Sequence, residues 1–357
     1  MNNPQKKLLF LGETFRADAI TWMSGLKEFG DFEIVTWELK QSHKGFFGRL
    51  KRILEFCFCL FEIKKIIKVQ KPDIILAERA TSYGFLAAIS GVKPVVIAQQ
   101  GISDLWPENS ILYPIKKIIQ DYAYKKATLI HAWGTVMIPA MLASKVTSDK
   151  ILVLPKGIDL SKFENKNNSS DTKIQAIVTR SLYPEYCHDV ILRAFAILNK
   201  KNIDFELTIV GDGNQFEKLK QLSSDLKIDS KVIFTARILN TELPKFLQKS
   251  NLYISMPITE GVSASLFEAM ACNCYPIVSK IEGNKCWVSH RKNGQLVAVN
   301  DFEMLATEII WAFENVDYRK KVILENRKFI EENANYAINM KIIAEKYHEL
   351  INLKTYS

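Results

Sequence analysis

The chain has 357 residues, 48% of them apolar and 24% charged, with six cysteines and a formal net charge of +9. That length exceeds a single core and predicts two domains of ordinary globular composition, which excludes a disordered or fibrous chain. No window approaches the roughly 18 uncharged apolar residues of a membrane span, and the cysteines show neither a disulfide framework nor zinc-ligand spacing, so no structural metal is expected.

The first apolar run, Leu8–Gly12 between Lys7 and Glu13, is too short for a signal-peptide core and reads as a β-strand. A cytoplasmic protein with reduced thiols is expected. A helical stretch near Asp18–Phe29 follows, then a strand at Phe32–Trp37. Between 44 and 71 lie two basic amphipathic helices. Strand-length apolar runs then recur at Asp73–Ala77, Pro94–Ala98, Leu129–Ala132 and Ile151–Leu154. After the wholly polar run Glu164–Asp171 the pattern restarts, with strands at Ile174–Thr179, Phe205–Val210, Lys231–Phe234, Leu252–Ser255 and Tyr275–Ser279. Helices are expected at Asp189–Leu198, Ser265–Ala271 and Tyr336–Leu353. Short apolar strands alternating with helices indicate parallel sheets covered on both faces. Two α/β domains are expected, 1–160 and 174–335.

The charge is unevenly placed. Residues 1–150 hold 21 Lys/Arg against 14 Asp/Glu, whereas the remainder holds 27 against 25. The first half should therefore meet something anionic. No nucleic-acid motif is present. The segment from Lys44 to Lys71 interleaves eight Lys/Arg, among them Arg49, Lys51 and Arg52, with Phe46, Phe47, Phe56, Phe58 and Phe61. A basic, aromatic-rich amphipathic stretch of this kind suits an anionic membrane surface.

In open α/β sheets, ligands bind beyond the carboxyl ends of the strands. Three such places in the second half carry chemistry. Glu260-Gly261-Val262-Ser263-Ala264-Ser265 follows the strand Leu252–Ser255 and leads into a helix containing Glu268. Gly261 permits close backbone approach, and Ser263 or Ser265 suits the helix cap, whose free amides favour a phosphate. Two carboxylates then flank a phosphate-sized pocket. Gly211-Asp212-Gly213 reads as a tight turn after the strand Phe205–Val210, a weak signal alone. Thr179-Arg180 stands at the end of the strand that begins at Ile174, where the planar fork of Arg180 would pair with a diphosphate.

Together these residues resemble the family 4 glycosyltransferases of the GT-B fold. The E-x7-E signature stands as Glu260…Glu268 and runs on as EAMACNCYPIVS. LTIVGDGNQFEKLK, KVIFTARILNTELPKFLQKSNLYIS and ILVLPKGIDLSKF are similar to the family's other segments over 150–300. The resemblance implies two Rossmann-like domains facing across a cleft, with the last helix crossing back onto the first domain. It implies a retaining hexosyltransferase-type enzyme that moves a sugar from a nucleotide diphosphate sugar to a glycan or lipid-linked hydroxyl, in cell-surface polysaccharide or glycolipid synthesis and without metal or other cofactor. Glu268 would hold the ribose and Glu260 the transferred sugar. The amides of Val262 and Ser263 would reach the sugar, and those of Ala264 and Ser265 the diphosphate. Arg180 would neutralise the leaving group, and backbone around Ile238 would touch the base. Gly12, Gln100 and Asp104 fall on the acceptor side.

This sequence departs from the family's pattern in three places. The lysine that relatives place shortly after the arginine is replaced by Tyr186-Cys187-His188, where His188 would offer partial positive charge or Tyr186 a hydrogen bond. Gln100 stands where many relatives have a histidine, and Gly12 is followed by Glu13 rather than a second glycine. A nucleotide-sugar 2-epimerase of the same fold and a non-catalytic, membrane-docked nucleotide-sugar binding protein are the alternatives.

Overall fold

A computed structural model describes residues 5–39, 46–102, 105, 110, 113–164, 166 and 172–355, without the side chains of 46–57, 354 and 355. The chain divides into two compact units, 1–156 with 336–357, and 157–335.

Unit 1 runs β1 (Lys7–Leu11), α1 (Ala17–Gly30), β2 (Glu33–Trp37), α2 (Phe46–Gln70), β3 (Ile74–Glu78), α3 (Phe85–Ile89), β4 (Val95–Gln99), α4 (Tyr113–Lys126), β5 (Leu129–Ala132), α5 (Ile138–Ala143) and β6 (Ile151–Val153). Its six strands are all parallel in the order β2-β1-β3-β4-β5-β6. β3 and β4 are buried at every position, as apolar runs covered by helices on both faces require. A right-handed crossover from β1 out to β2 and then back to β3 puts α1 and α2 on opposite faces.

Unit 2 runs β7 (Ile174–Thr179), α6 (His188–Lys200), β8 (Phe205–Val210), α7 (Phe216–Asp225), β9 (Val232–Ala236), α8 (Leu243–Leu247), β10 (Leu252–Ser255), α9 (Ala264–Ala271), β11 (Tyr275–Ser279), α10 (Glu282–Lys285), β12 (Gln295–Val297), α11 (Phe302–Glu314) and α12 (Val316–Asn333). Its parallel sheet has the order β12-β11-β10-β7-β8-β9. Alternate residues of one strand feed different cores. Ala176 and Val178 join Phe195, Phe205 and Ile309 on one face, while Ile177 joins Tyr253, Phe267 and Met270 on the other.

α13 (Tyr336–Thr355) returns to unit 1 and packs on α1. The Tyr336 hydroxyl donates to the Thr21 carbonyl at 2.8 Å, and the Tyr347 hydroxyl meets His131 Nδ1 at 3.0 Å. His131 is fully buried, and burial lowers its imidazole to about 4.

Two expectations are corrected. Residues 46–70 form one helix rather than two, because neither proline nor glycine interrupts 49–70. β3 and β4 each extend one residue further than their apolar runs, so Glu78 and Gln99 are strand residues despite their polarity. Burial of those strand ends is decided by neighbouring strands, which periodicity cannot show.

Candidate active site

Each sheet has one topological switch point, where the strand order reverses and loops diverge to leave room for a ligand. In unit 2 it lies between β7 and β10, the first strands of the two sheet halves. Arg180 directly follows β7, and Glu260 lies on the loop between β10 and α9. Local chain direction therefore brings together two residues 80 positions apart.

Arg180 Nη2 donates to Glu260 Oε1 in a short ion pair whose two side chains are 13% and 10% exposed. Arg180 Nη1 donates to Ser263 Oγ at 3.3 Å and to Ser265 Oγ at 3.2 Å. Ser263 is the helix cap, its hydroxyl accepting the Leu266 amide at 3.3 Å. Ser265 instead donates to the Thr179 carbonyl at 3.2 Å. The amides of Ala264 and Ser265, in the first turn of α9, have no helical acceptor. Among the described residues Arg180 Nε, Glu260 Oε2 and Thr179 Oγ1 are buried without a hydrogen-bond partner. Orphaned buried polar atoms beside a helix N-terminus and a guanidinium make a polar cluster suited to an anion carrying hydroxyls. Burial opposes the Arg180 charge, yet Glu260, Tyr253 and Tyr186 raise its pKa, so the guanidinium is permanently charged.

The turn after β7 packs against this cluster. Tyr186 presents its ring to Arg180, 4.6 Å from the guanidinium carbon, a cation–π contact. His188 supplies no positive charge, which corrects the sequence expectation. Burial, and then the adjacent Arg180 charge, hold its imidazole down to about 4. The Ile258 amide donates to the Glu185 carbonyl at 2.9 Å, tying this turn to the loop that carries Glu260.

Gly211, at φ 153°, faces the Arg180 backbone. A Cβ there would lie 2.2 Å from the Arg180 carbonyl oxygen, so this glycine lets two loops pack. Glu268 lies in α9, half-buried, on the same helix as the cap. Val262 and Ile238 both pack against the second core of unit 2, and Ile238 follows a β-bulge at the end of β9. Gly261 is half-buried in the loop. Trp287 packs edge-on against Phe267, with ring centroids 4.6 Å apart.

In unit 1 the switch point lies between β1 and β3. Glu78, at the end of β3, is 2% exposed. Its Oε2 accepts the Glu13 amide at 3.0 Å and its Oε1 accepts Gln100 Nε2 at 3.0 Å. A Cβ on Gly12 would lie 2.7 Å from Glu78 Oε2, so the glycine admits this carboxylate. Burial raises the Glu78 pKa, and the Glu13 and Gln100 hydrogen bonds oppose that. Arg79 pairs with Glu13 at 2.7 Å and adopts φ 61° in a π-helical turn, Arg79–Gly84. Gly12 and Gln100 thus meet through a residue that sequence reasoning missed. The available signal was a charged pair, Glu78-Arg79, ending an otherwise apolar strand. Asp104 lies outside the described residues.

Family models bear on both units. The model for glycosyl transferases group 1 matches residues 160–329, and that for glycosyl transferase 4-like proteins matches 34–134. An uncharacterized glycosyltransferase of Methanocaldococcus jannaschii is 27% identical over 254 residues, which span 69% of this chain and 64% of that protein. The UDP-Gal:alpha-D-GlcNAc-diphosphoundecaprenol alpha-1,3-galactosyltransferase of Escherichia coli is 24% identical over 70% of this chain and 69% of its own length. The crystal structure of Anabaena HepE in complex with UDP superimposes with a TM-score of 0.78 and 16% identity, covering 97% of this chain and all of that one.

Proposed function

The chain belongs to the group 1 glycosyltransferases of the GT-B fold, and we propose that it moves a sugar from a nucleotide diphosphate sugar to a hydroxyl of a glycan or lipid-linked acceptor with retention of configuration. The observation that carries this reading is the Arg180–Glu260–Ser263–Ser265 constellation at the switch point of unit 2. UDP in the HepE complex and the diphosphoundecaprenol acceptor of the E. coli relative support the donor and acceptor classes.

In this reading the sugar's anomeric carbon–oxygen bond breaks and the nucleoside diphosphate leaves with the electron pair. The acceptor oxygen bonds the anomeric carbon from the face the leaving group vacates, and its proton passes to a departing phosphate oxygen. Arg180 and the α9 amides stabilise the diphosphate charge as it develops, inside a pocket already organised around it. Arg180 gives up its bond to Glu260 in favour of the diphosphate, which frees Glu260 to accept from sugar hydroxyls. Glu268 accepts from the ribose. No metal is required, because the guanidinium and helix N-terminus supply the positive potential. Tyr186 stands near the position of the lysine that relatives carry and holds the Arg180 guanidinium by a cation–π contact, adding no charge of its own. In unit 1, Gly12 and Gln100 face the acceptor, with Glu78 fixing the Gln100 amide. The exposed apolar residues of α2, Phe58, Phe61 and Val69, together with Lys64, Lys65 and Lys68, dock the enzyme on the anionic cytoplasmic leaflet that carries its acceptor.

The test separates the two glutamates. Glu268→Ala loses about 1.5–3 kcal/mol of nucleotide affinity, roughly 10- to 150-fold, as for a hydrogen bond to a charged group. Glu260→Gln abolishes most transfer with nucleotide affinity nearly intact. Glutamine is used because deletion would leave a buried guanidinium unpaired, at a cost of about 3–5 kcal/mol. Equal loss of nucleotide affinity in both variants contradicts the assignment.

A further inference from the structure

Unit 1 carries a row of lysines at the end of its sheet remote from the switch-point loops. Lys71 precedes β3, Lys93 precedes β4, Lys125 and Lys126 precede β5, and Lys150 precedes β6. These four strands are adjacent and parallel, so their amino ends share one rim at about 4.8 Å per strand. Lys93, Lys125, Lys126 and Lys150 line a cavity of about 500 Å3, walled on one side by Leu350 and Leu353 of α13. A second cavity of about 500 Å3 shares Lys125 and Lys150 and adds Lys145. A third, of about 290 Å3, shares Lys93 and Lys126 and adds Tyr122.

Among the described residues no carboxylate lines the first cavity. Asp121, in the second, is held by Lys117 at 2.8 Å. Among the described residues Lys93, Lys125, Lys126, Lys145 and Lys150 form no ion pair. The start of β1 is different, for Lys6 pairs with Asp73 and Lys7 with Glu33. Five like charges gathered around connected cavities repel one another; Lys125 and Lys126 lie in the last turn of α4, whose carbonyl end is negative, and Lys150 Nζ donates to the Ala127 carbonyl at 3.5 Å. An ammonium is a point charge with freely rotating donors, which suits phosphate oxygens of variable geometry. Leu353, 68% exposed, and Tyr122, 38% exposed, give the lysine cluster an apolar margin.

We propose that this rim is an anion site separate from the Arg180 pocket, and that it takes phosphate groups. Their source is either the headgroup of an anionic lipid or a soluble polyphosphate. The site is independent of the transfer reaction and of the α2 docking face, since neither uses Lys93, Lys125, Lys126, Lys145 or Lys150.

The experiment is lysine acetylation footprinting of the wild-type chain at physiological ionic strength, which screens lone surface charges. The probes are inorganic tripolyphosphate and phosphatidylglycerol vesicles, with phosphatidylcholine vesicles as control. Lys93, Lys126 and Lys150 are protected by at least one anionic probe, while Lys218 and Lys220 of unit 2 react as before. Changing all three, Lys93→Ala, Lys126→Ala and Lys150→Ala, weakens binding of the protecting probe by about 100-fold, from roughly fivefold per lysine. Protection by vesicles alone assigns a lipid headgroup, and protection by tripolyphosphate alone assigns a soluble ligand. Absence of protection by both overturns the site, as does unchanged binding by a triple variant with native circular dichroism. Vesicle binding lost on changing Arg49, Lys51 and Arg52 to Glu, with no protection of the rim lysines, overturns this site and leaves the α2 face standing.

Discussion

Arg180 is the centre of the proposed donor site, and its neighbours set its orientation and charge. The Tyr186 ring beside the guanidinium adds about 0.5–2 kcal/mol of cation–π attraction and restricts its rotamers. His188 is neutral at physiological pH because of burial and Arg180. His188 and His131 both lie near 4 in the folded protein, below the ordinary 6.5. As pH falls from about 6.5 towards 4 the unfolded chain binds protons first, so stability declines across that window and is flat above it. Each histidine contributes a loss of a few kcal/mol at the acid end. Urea denaturation at pH 7, 6 and 5 should show this decline, and His188→Gln should reduce it to about half, the share of His131 remaining. Parallel slopes in wild type and variant would contradict the assignment of part of the effect to His188.

At the scale of elements, the pocket depends on loops packed backbone to backbone. A Cβ on Gly283, in α10, would lie 2.1 Å from the Glu260 carbonyl oxygen and 2.8 Å from that of Gly261. Neither carbonyl can swing aside as a flexible side chain would. Gly283→Ala should therefore displace the Glu260 loop and lower transfer by roughly 10- to 100-fold, the typical result of small misplacement at a reacting centre. The thermal midpoint should fall by only a few degrees, since the two cores of unit 2 are untouched. Kinetics and melting on the same sample check this, and unchanged transfer would show that the loop tolerates the shift.

For the whole molecule, two outcomes follow from the proposed reaction and its setting. Transfer should proceed in excess EDTA with no gain on adding magnesium, since Arg180 and the α9 amides carry the diphosphate. Loss of activity restored by a divalent cation would overturn the metal-free mechanism. Co-sedimentation with anionic vesicles should weaken with salt and on changing Arg49, Lys51 and Arg52 to Glu. Those three side chains and Lys44 lie outside the described residues, whereas Phe58 and Phe61 further along α2 are 65% and 72% exposed. Among the described residues no helix is long and apolar enough to cross a membrane.

Most strands were legible in the sequence, because an apolar run of strand length covered on both faces carries its signal locally. Ile174–Thr179, Phe205–Val210, Leu252–Ser255 and Tyr275–Ser279 have the bounds read from the sequence. So was the loop Glu260–Ser265, since a helix start with its cap and glycine is written in consecutive residues. The short β12 and the helices α10 and α11 were not singled out. Tertiary structure alone decided which distant residues meet. Strand order β1-β3-β4 sets Glu78 between Gly12 and Gln100, and strand order β7-β10 sets Arg180 on Glu260. The same principle gathers Lys93, Lys126 and Lys150, which no window contains, on one rim. Local sequence specifies which elements form, because propensity and periodicity act over a few residues. The pairing of elements depends on burying the sheet's full width, and side chains from separate segments become neighbours only then.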